Sequence, residues 1–316
     1  MSGAEDDDLD REFGEIARLF RPLARGAPGA FDLKDDAAVI SGRPGYDLVV
    51  TKDAIVEGVH FPVGEDPALV ARKLLRVNLS DLAAKGAEPF ACFLAVAWPK
   101  GFSAAARAAF ASGFGEDLKR YDVALMGGDT VSTSGPLTAS LTAMGWVPEG
   151  GMVRRGGAQI GDLLMVSGTI GDGFLGLAAA RGEITDDGYL TGRYRLPTPR
   201  LDLTESLRAD AHAAADVSDG LIADAGHIGE ASGLGVRIDL ERTPLSAAAR
   251  TWLAGQSDRA AGLLALASGG DDYEIVCAGP VTLEGFTVIG EVIAAGRDVR
   301  LDGEAIAVGA GGWRHL

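Results

Sequence analysis

Apolar positions recur along the chain in two periods, and each change of period marks an element. Asp47–Thr51 (DLVVT) is a short β-branched run that predicts a strand. Pro67–Lys85 carries apolar residues at helical spacing, with Pro67 suited to a first turn and Gly86 just past the end. Phe90–Trp98 predicts a strand and Ala104–Tyr121 a helix. Ala124–Met126 predicts a short strand running into Gly127-Gly128-Asp129-Thr130, and Leu137–Val147 another strand. Near the start, Ile16, Leu19 and Phe20 predict a short amphipathic helix over Phe13–Leu23, stopped near Pro22.

A stretch rich in Gly and Arg, residues 149–161, separates this half from a second. There the pattern predicts strands over Leu163–Ser167, Val236–Leu240, Glu274–Ala278 and Thr287–Val292, then a hairpin-like end. It predicts helices over Gly173–Arg181 and Gly220–Ser232. Mixed strands and helices in both halves imply an α/β (α+β) chain of two domains, 13–148 and 149–316, after a disordered acidic lead-in over 1–12.

Composition narrows the chemistry. Of 316 residues 47% are apolar, enough for a sizeable core, and 45 are glycine, which suits many tight connections. The formal net charge of −16 argues against nucleic acid or an anionic membrane surface as partner. It leaves phosphate ligands open if metal ions neutralise the carboxylates. Cys92 and Cys277 stand alone in apolar runs, with no zinc-ligand spacing, and read as core thiols of a reducing compartment. The start, MSGAEDDDLDREF, is acidic where a signal peptide is basic and then apolar, and Phe90–Trp98 is too short to span a bilayer. The expectation is a soluble, cytoplasmic protein.

Two motifs invite a nucleotide reading. Gly171-Asp172-Gly173-Phe174-Leu175-Gly176 satisfies GxGxxG between a predicted strand and a predicted helix. The strand begins midway along the chain, however, and no second strand ending in an acidic residue occurs about 20 residues later. A helix start that needs a tight turn explains the glycines better. No GxxxxGK[ST] occurs, which excludes a P-loop.

The other pattern is a set of scattered aspartates: Asp35-Asp36-Ala37-Ala38, Lys52-Asp53, Asn78-Leu79-Ser80-Asp81, Gly127-Gly128-Asp129-Thr130, Asp216-Val217-Ser218-Asp219-Gly220 and Gly269-Gly270-Asp271-Asp272-Tyr273-Glu274. Most fall at a predicted strand end or helix edge. Each one taken singly is also explained as a turn residue or helix cap. Asp81 resists that explanation, because it sits inside an apolar-patterned helix where a lone carboxylate is costly. Mg²⁺ takes carboxylate oxygens and bridges to phosphates, and phosphoryl transfer needs positioning and charge neutralisation more than covalent help.

At these segments the sequence resembles the thiamine-monophosphate kinase family of the aminoimidazole-ribonucleotide-synthetase-like superfamily. The resemblance runs through Phe13-Gly14-Glu15-Ile16, Glu57-Gly58-Val59-His60-Phe61 and Arg155-Gly156-Gly157-Ala158 as well as the aspartate motifs. It implies transfer of the γ-phosphate of ATP to thiamine monophosphate, in line, with several Mg²⁺ ions and no covalent nucleophile. It implies Mg²⁺ ligands at Asp36, Thr51, Asp53, Asp81, Asp129 and Asp216, with Asp219 on a further ion. Gly128, Asp129, Arg155 and Ser218 would contact ATP; His60, Asp271 and Trp313 would contact the substrate. The implied fold has an ATP- and Mg²⁺-binding N-terminal half whose sheet completes a β-barrel across a homodimer, and an α/β C-terminal half.

Three positions depart from the family pattern. Lys52 replaces a hydroxyl residue before Asp53, and could ligate metal only through its backbone carbonyl. Asp271 stands where Glu is common, and Lys34 where Gly is usual. Two alternatives stay open at this stage. One is another ATP-dependent enzyme of the superfamily acting on a different small phosphorylated substrate. The other is a non-catalytic nucleotide-binding protein, against which the mutual repulsion of so many retained carboxylates counts.

Overall fold

The computed structural model describes residues 14–308, so the lead-in over 1–12, Phe13 and Trp313 lie outside the described residues. The chain divides into two compact units. The first runs up to Asn78 and resumes over Pro89–Trp146; the second joins Leu79–Glu88 to the chain from Val147 onward.

In the first unit β1 (Tyr46–Val56), β2 (Glu88–Pro99), β3 (Ala124–Thr133) and β4 (Thr138–Pro148) form one sheet in the order β1-β4-β2-β3. This sheet is open, not a closed barrel, among the described residues. Alternation along β1 shows which face is covered: Val49 and Ile55 are buried, whereas Leu48, Val50 and Lys52 are exposed. The covered face meets the helices α1 (Pro67–Ala84) and α2 (Ala104–Arg120). Trp98 of β2 sets its ring edge-on to Phe110 of α2 at 5.2 Å, and the backbone N–H of Asp53 donates to Asn78 of α1. Ser103 caps α2 by accepting from the N–H of Ala106. Arg76 and Asp117 pair the two helices through a buried, two-pronged salt bridge.

Two expectations change here. The strand predicted over Ala124–Met126 continues to Thr133, because it pairs in parallel with β2 through Leu94↔Gly128 and Ala95↔Asp129. Gly128-Asp129 therefore lies on a strand and not in the loop after one. The helix predicted over Phe13–Leu23 is a π-turn at Ile16–Phe20 followed by a 3₁₀ turn at Arg21–Ala24, the second carrying Pro22 in its first turn.

The second unit holds a seven-stranded sheet in the order β11-β10-β7-β9-β5-β8-β6. Its strands are β5 (Leu163–Ser167), β6 (Ala213–Asp216), β7 (Gly235–Asp239), β8 (Ile275–Gly279), β9 (Phe286–Ile293), β10 (Arg297–Leu301) and β11 (Glu304–Ala305). The helices are α3 (Asp172–Ala180), α4 (Tyr189–Arg195), α5 (Thr204–Asp210), α6 (Leu221–Ser232), α7 (Ala247–Ala254) and α8 (Arg259–Ser268). Period-2 alternation sends Leu164, Val166, Ala213, Ala215, Val276 and Ala278 to one face, where they pack with Leu221, Ile222 and Ile228 of α6 and Leu263 of α8. It sends Met165, Ala214, Ile275 and Cys277 to the other, with Leu207 of α5 and with Ala83 and Ala84 from the end of α1. Both strand sets are buried on both faces, which is why they read as unbroken apolar runs.

β5 runs antiparallel to both of its neighbours, β8 and β9, so the GxGxxG segment after it opens no parallel dinucleotide-binding unit. Gly171 takes φ +88° as the N-cap of α3, a tight turn that suits glycine. The N–H groups of Gly171 and Gly173 donate to the two oxygens of Asp272 at 2.8 and 2.9 Å. The helix N-terminus that could hold a phosphate is filled by the protein's own carboxyl group. Among the described residues no helix is long and apolar enough to cross a membrane.

Candidate active site

The first unit contains a cleft of about 550 Å³ with an apolar wall that includes Ile16, Phe20 and Phe93. Asp36, Gly128 and Asp129 all line it, with Asp35, Lys34 and Thr130 beside them. The pairing of β3 on β2 carries Gly128 there. A Cβ at that position would lie 1.8 Å from the Leu94 carbonyl oxygen, so the glycine is required by the strand contact itself.

Thr51 and Asp53 share the covered face of β1, and pleating turns Lys52 the other way. The Lys52 ammonium reaches Thr142 Oγ1 at 3.4 Å, so its side chain leaves the face that carries Asp53. Asp53 is held at both ends of its peptide. Its N–H donates to Asn78 Oδ1 at 3.1 Å, and its carbonyl accepts from Ser140 Oγ at 3.1 Å. Asn78 is fully buried and donates in turn to the Leu74 carbonyl at 2.8 Å. His60 lies just beyond β1 and accepts the Val56 N–H at Nδ1, 3.0 Å away, which leaves the proton of the neutral ring on Nε2.

The second unit gathers a different group. Asp81, on the last turn of α1, faces Asp216, at the end of β6, closely enough for their charges to interact. Asp216 is 6% exposed. Burial first, then the charges of Asp81 and Asp224, push its carboxyl well above the ordinary carboxylate range. Lys85, one turn after Asp81, opposes them. Its ammonium donates to the Ala214 carbonyl at 2.7 Å, and burial lowers its pKa despite Asp216 and Asp81. Arg155 is exposed on the segment whose Arg154 carbonyl accepts the Ala214 N–H, and its charge reaches Lys85 and Asp224.

Backbone bonds join the two distant motifs of this unit. Asp271 donates its N–H to the Ser218 carbonyl at 2.9 Å; Tyr273 N–H donates to Val217 at 2.8 Å, and Val217 N–H to Glu274 at 2.7 Å. Asp271 and Tyr273 adopt left-handed backbone, φ +60° and +51°, uncommon for residues with side chains. What holds them is a buried network beneath. Glu274 accepts from Ser167 Oγ at 2.7 Å and from Arg193 at 2.9 Å, and takes Arg200 on both oxygens.

Of the residues singled out from sequence, Asp36, Gly128 and Asp129 share the cleft of the first unit. Asp81 and Asp216 meet in the second, where Ser218 and Asp271 are bonded and Asp219 stands beside Asp224. Trp313 lies outside the described residues. Sequence reasoning passed over Lys85 and Asp224. Lys85 stands four residues after Asp81, a helical neighbour, and Asp224 is an acid in the first turn of α6; both spacings were readable.

The donor set fits Mg²⁺. Three carboxylates, Asp35, Asp36 and Asp129, line one cleft, and the carboxyl of Asp216 is raised by burial and by the fields of two others, a repulsion that a hard dication relieves. His227 Nδ1 or Nε2 and one oxygen each of Asp219 and Asp224 also fall within 4.8 Å of one another.

Residues 34–147 match the family model described as AIR synthase related protein, N-terminal domain, and residues 159–302 match its C-terminal domain counterpart. A thiamine-monophosphate kinase of Caulobacter vibrioides is 61% identical over 268 residues, 84% of this chain and 76% of that one. The solved structure of a thiamine-monophosphate kinase from Stenotrophomonas maltophilia K279a superposes with a TM-score of 0.76 at 40% identity, covering 87% of this chain and 91% of that one. AaThiL complexed with AMPPCP and TMP superposes with a TM-score of 0.78 at 29% identity, covering 87% and 89%.

Proposed function

The chain belongs to the thiamine-monophosphate kinase family, and from that premise we propose that it transfers the γ-phosphate of ATP to the phosphate of thiamine monophosphate, giving ADP and thiamine diphosphate. The observation that carries this reading is the buried Asp216 beside Asp81, a carboxylate pair that costs stability unless a cation is meant to occupy it. The relative solved with AMPPCP and TMP supports the pairing of a nucleotide with that acceptor.

Asp36, Thr51, Asp53 and Asp129 of the first unit, and Asp81, Asp216 and Asp219 of the second, are the proposed Mg²⁺ ligands. Lys52 is limited to its carbonyl, since its ammonium is turned to Thr142. When bound, the ions supply charge neutralisation at the transferring phosphoryl group and a template for donor and acceptor oxygens. The chain's own residues do the rest. Gly128 and Asp129, with Arg155 and Ser218, are assigned to ATP; Arg155 offers a planar, permanently charged fork to phosphate oxygens. His60, Asp271 and Trp313 are assigned to thiamine monophosphate. With Nδ1 accepting from the Val56 N–H, the Nε2–H of His60 is the donor assigned to the substrate. The acceptor needs no general base, because a phosphate monoester with a second pKa of about 6 is already largely dianionic at neutral pH.

A homodimer fits the first unit. Its sheet leaves Leu48 at 40% and Val50 at 54% exposure on one face of β1, and a second copy closing the sheet into a barrel covers them. The same reading places the reaction in the cytoplasm, where ATP and Mg²⁺ are supplied.

The test is an assay with ATP, Mg²⁺ and either thiamine monophosphate or free thiamine. Diphosphate is expected from the monophosphate alone, with no turnover in EDTA. Turnover of free thiamine, or of neither, would remove the acceptor assignment and favour another substrate of the superfamily.

A further inference from the structure

The turn between β6 and α6 has an anchor that none of the assigned roles explains. Three successive backbone N–H groups, those of Ser218, Asp219 and Gly220, donate to one carboxylate oxygen, Asp224 Oδ2, at 3.0, 3.1 and 3.2 Å. Asp224 is 2% exposed, and its own N–H donates to the Gly220 carbonyl at 3.0 Å, closing the ring. Consecutive amides converging on one point at a helix N-terminus make an anion nest, the device that commonly cradles phosphate. Here it is filled from within. The turn therefore has no amide to offer a nucleotide. What it presents outward is the Ser218 hydroxyl and the Asp219 carboxylate, both partly exposed.

We propose that Asp224 is a positioning residue for phosphoryl transfer: by satisfying these three amides it fixes the turn and so aims Ser218 and Asp219. The proposal rests on the assignment of Ser218 to ATP and Asp219 to Mg²⁺. Its physical basis is that one buried oxygen accepting three converging N–H groups holds a turn far more rigidly than water does, since the bonds are shielded from solvent. The carbonyl of Ser218 is engaged by Asp271, so both sides of the peptide are tied and only the side chain stays free to act. The role demands an oxygen at that point and not a charge.

Three variants separate position from charge. Asp224→Asn keeps an acceptor oxygen in place; Asp224→Ala removes it; Asp224→Glu keeps the charge but displaces the oxygen by one methylene. Amide hydrogen exchange of the 218–220 turn is followed in the metal-free protein, and KM for Mg·ATP and for thiamine monophosphate in the assay. Expected for Ala and Glu is loss of amide protection and a rise of about tenfold in KM for Mg·ATP, the size of one lost hydrogen bond, with KM for thiamine monophosphate little changed. Asn is expected to keep both within about threefold. Retained protection in Asp224→Ala overturns the proposal, because the turn then needs no anchor. Asn as damaging as Ala with the amides still protected also overturns it and makes Asp224 a metal ligand. Lost protection with unchanged ATP kinetics overturns it by another route: Ser218→Ala and Asp219→Asn would then be silent too, which locates the failure in the site assignment. Glu alone decides the matter if Ala does not fold, since a role in charge tolerates it and a role in position does not.

Discussion

The backbone N–H of Asp271 donates to the carbonyl of Ser218 at 2.9 Å, although more than fifty residues separate them. With the bonds between Val217 and Tyr273 and Glu274, this bond ties the turn after β6 to the strained segment before β8, where Asp271 and Tyr273 both have positive φ. Backbone held in that region persists only where surrounding contacts over-determine it. Glu274, with Arg193, Arg200 and Ser167 upon it, supplies them.

Asp216→Asn should raise the melting temperature of the metal-free protein at pH 8, because it removes a buried carboxylate that Asp81 and Asp224 repel. It should also weaken the upward shift that Mg²⁺ produces in the wild type and abolish turnover. Thermal melts with and without Mg²⁺ read both effects. A large loss of metal-free stability would instead show Asp216 to be a structural residue.

Asn78→Ala removes the buried side-chain acceptor of the Asp53 N–H, whereas the Leu74 carbonyl keeps its bond within the helix. A loss of about 1–3 kcal/mol is expected in urea denaturation. Turnover should fall as well, since β1 then loses its tie to α1 at the residue before Ala54. Full activity in a destabilised variant would separate Asn78 from the placement of Asp53.

Gly128→Ala should disrupt the first unit and not merely its ligand contacts. The added methyl group would overlap the Leu94 carbonyl, which belongs to the backbone of the neighbouring strand and cannot rotate aside. Soluble yield and the cooperativity of unfolding report this directly; a well-folded variant impaired only in ATP affinity would contradict it.

Stability should depend on pH through Asp272. Burial, against the pull of the Gly171 and Gly173 N–H groups and of Arg193, pushes its carboxyl up to about 8. Between the unfolded value near 3.9 and that folded value, the native state binds a proton that the unfolded chain has released. Its contribution to stability is complete below the unfolded pKa and is lost as pH rises toward 8, at up to about 1.4 kcal/mol per pH unit. Denaturation from pH 5 to 8 should therefore show the wild type losing ground to Asp272→Asn. A constant difference between the two across that range would exclude this titration.

Leu48→Asp with Val50→Asp should give a folded monomer, since both side chains lie on the exposed face of β1. Sedimentation is expected to show a dimer for the wild type. A wild-type monomer would remove the barrel across two copies.

Runs of apolar residues marked the four strands of the first sheet and β5, β7, β8 and β9 of the second, but not β6 (Ala213–Asp216), whose four small residues carry no pattern of their own. The breaks at Gly86 and residues 149–161 marked where long elements end. Period and turn chemistry are local, so sequence carries them. The motifs likewise supplied every aspartate proposed as a metal ligand. Sequence could not decide that Ala124–Met126 extends through Gly128 and Asp129, because that extension is stabilised by pairing with β2, a partner remote in the chain. Nor could it decide that the GxGxxG helix and the α6 turn are both closed by the chain's own carboxyl groups, Asp272 and Asp224. A Gly-rich helix start looks the same whether an internal carboxylate or a ligand phosphate fills it. Only the packed structure shows which acid has come within reach, since its desolvation and its hydrogen bonds depend on neighbours that folding alone assembles.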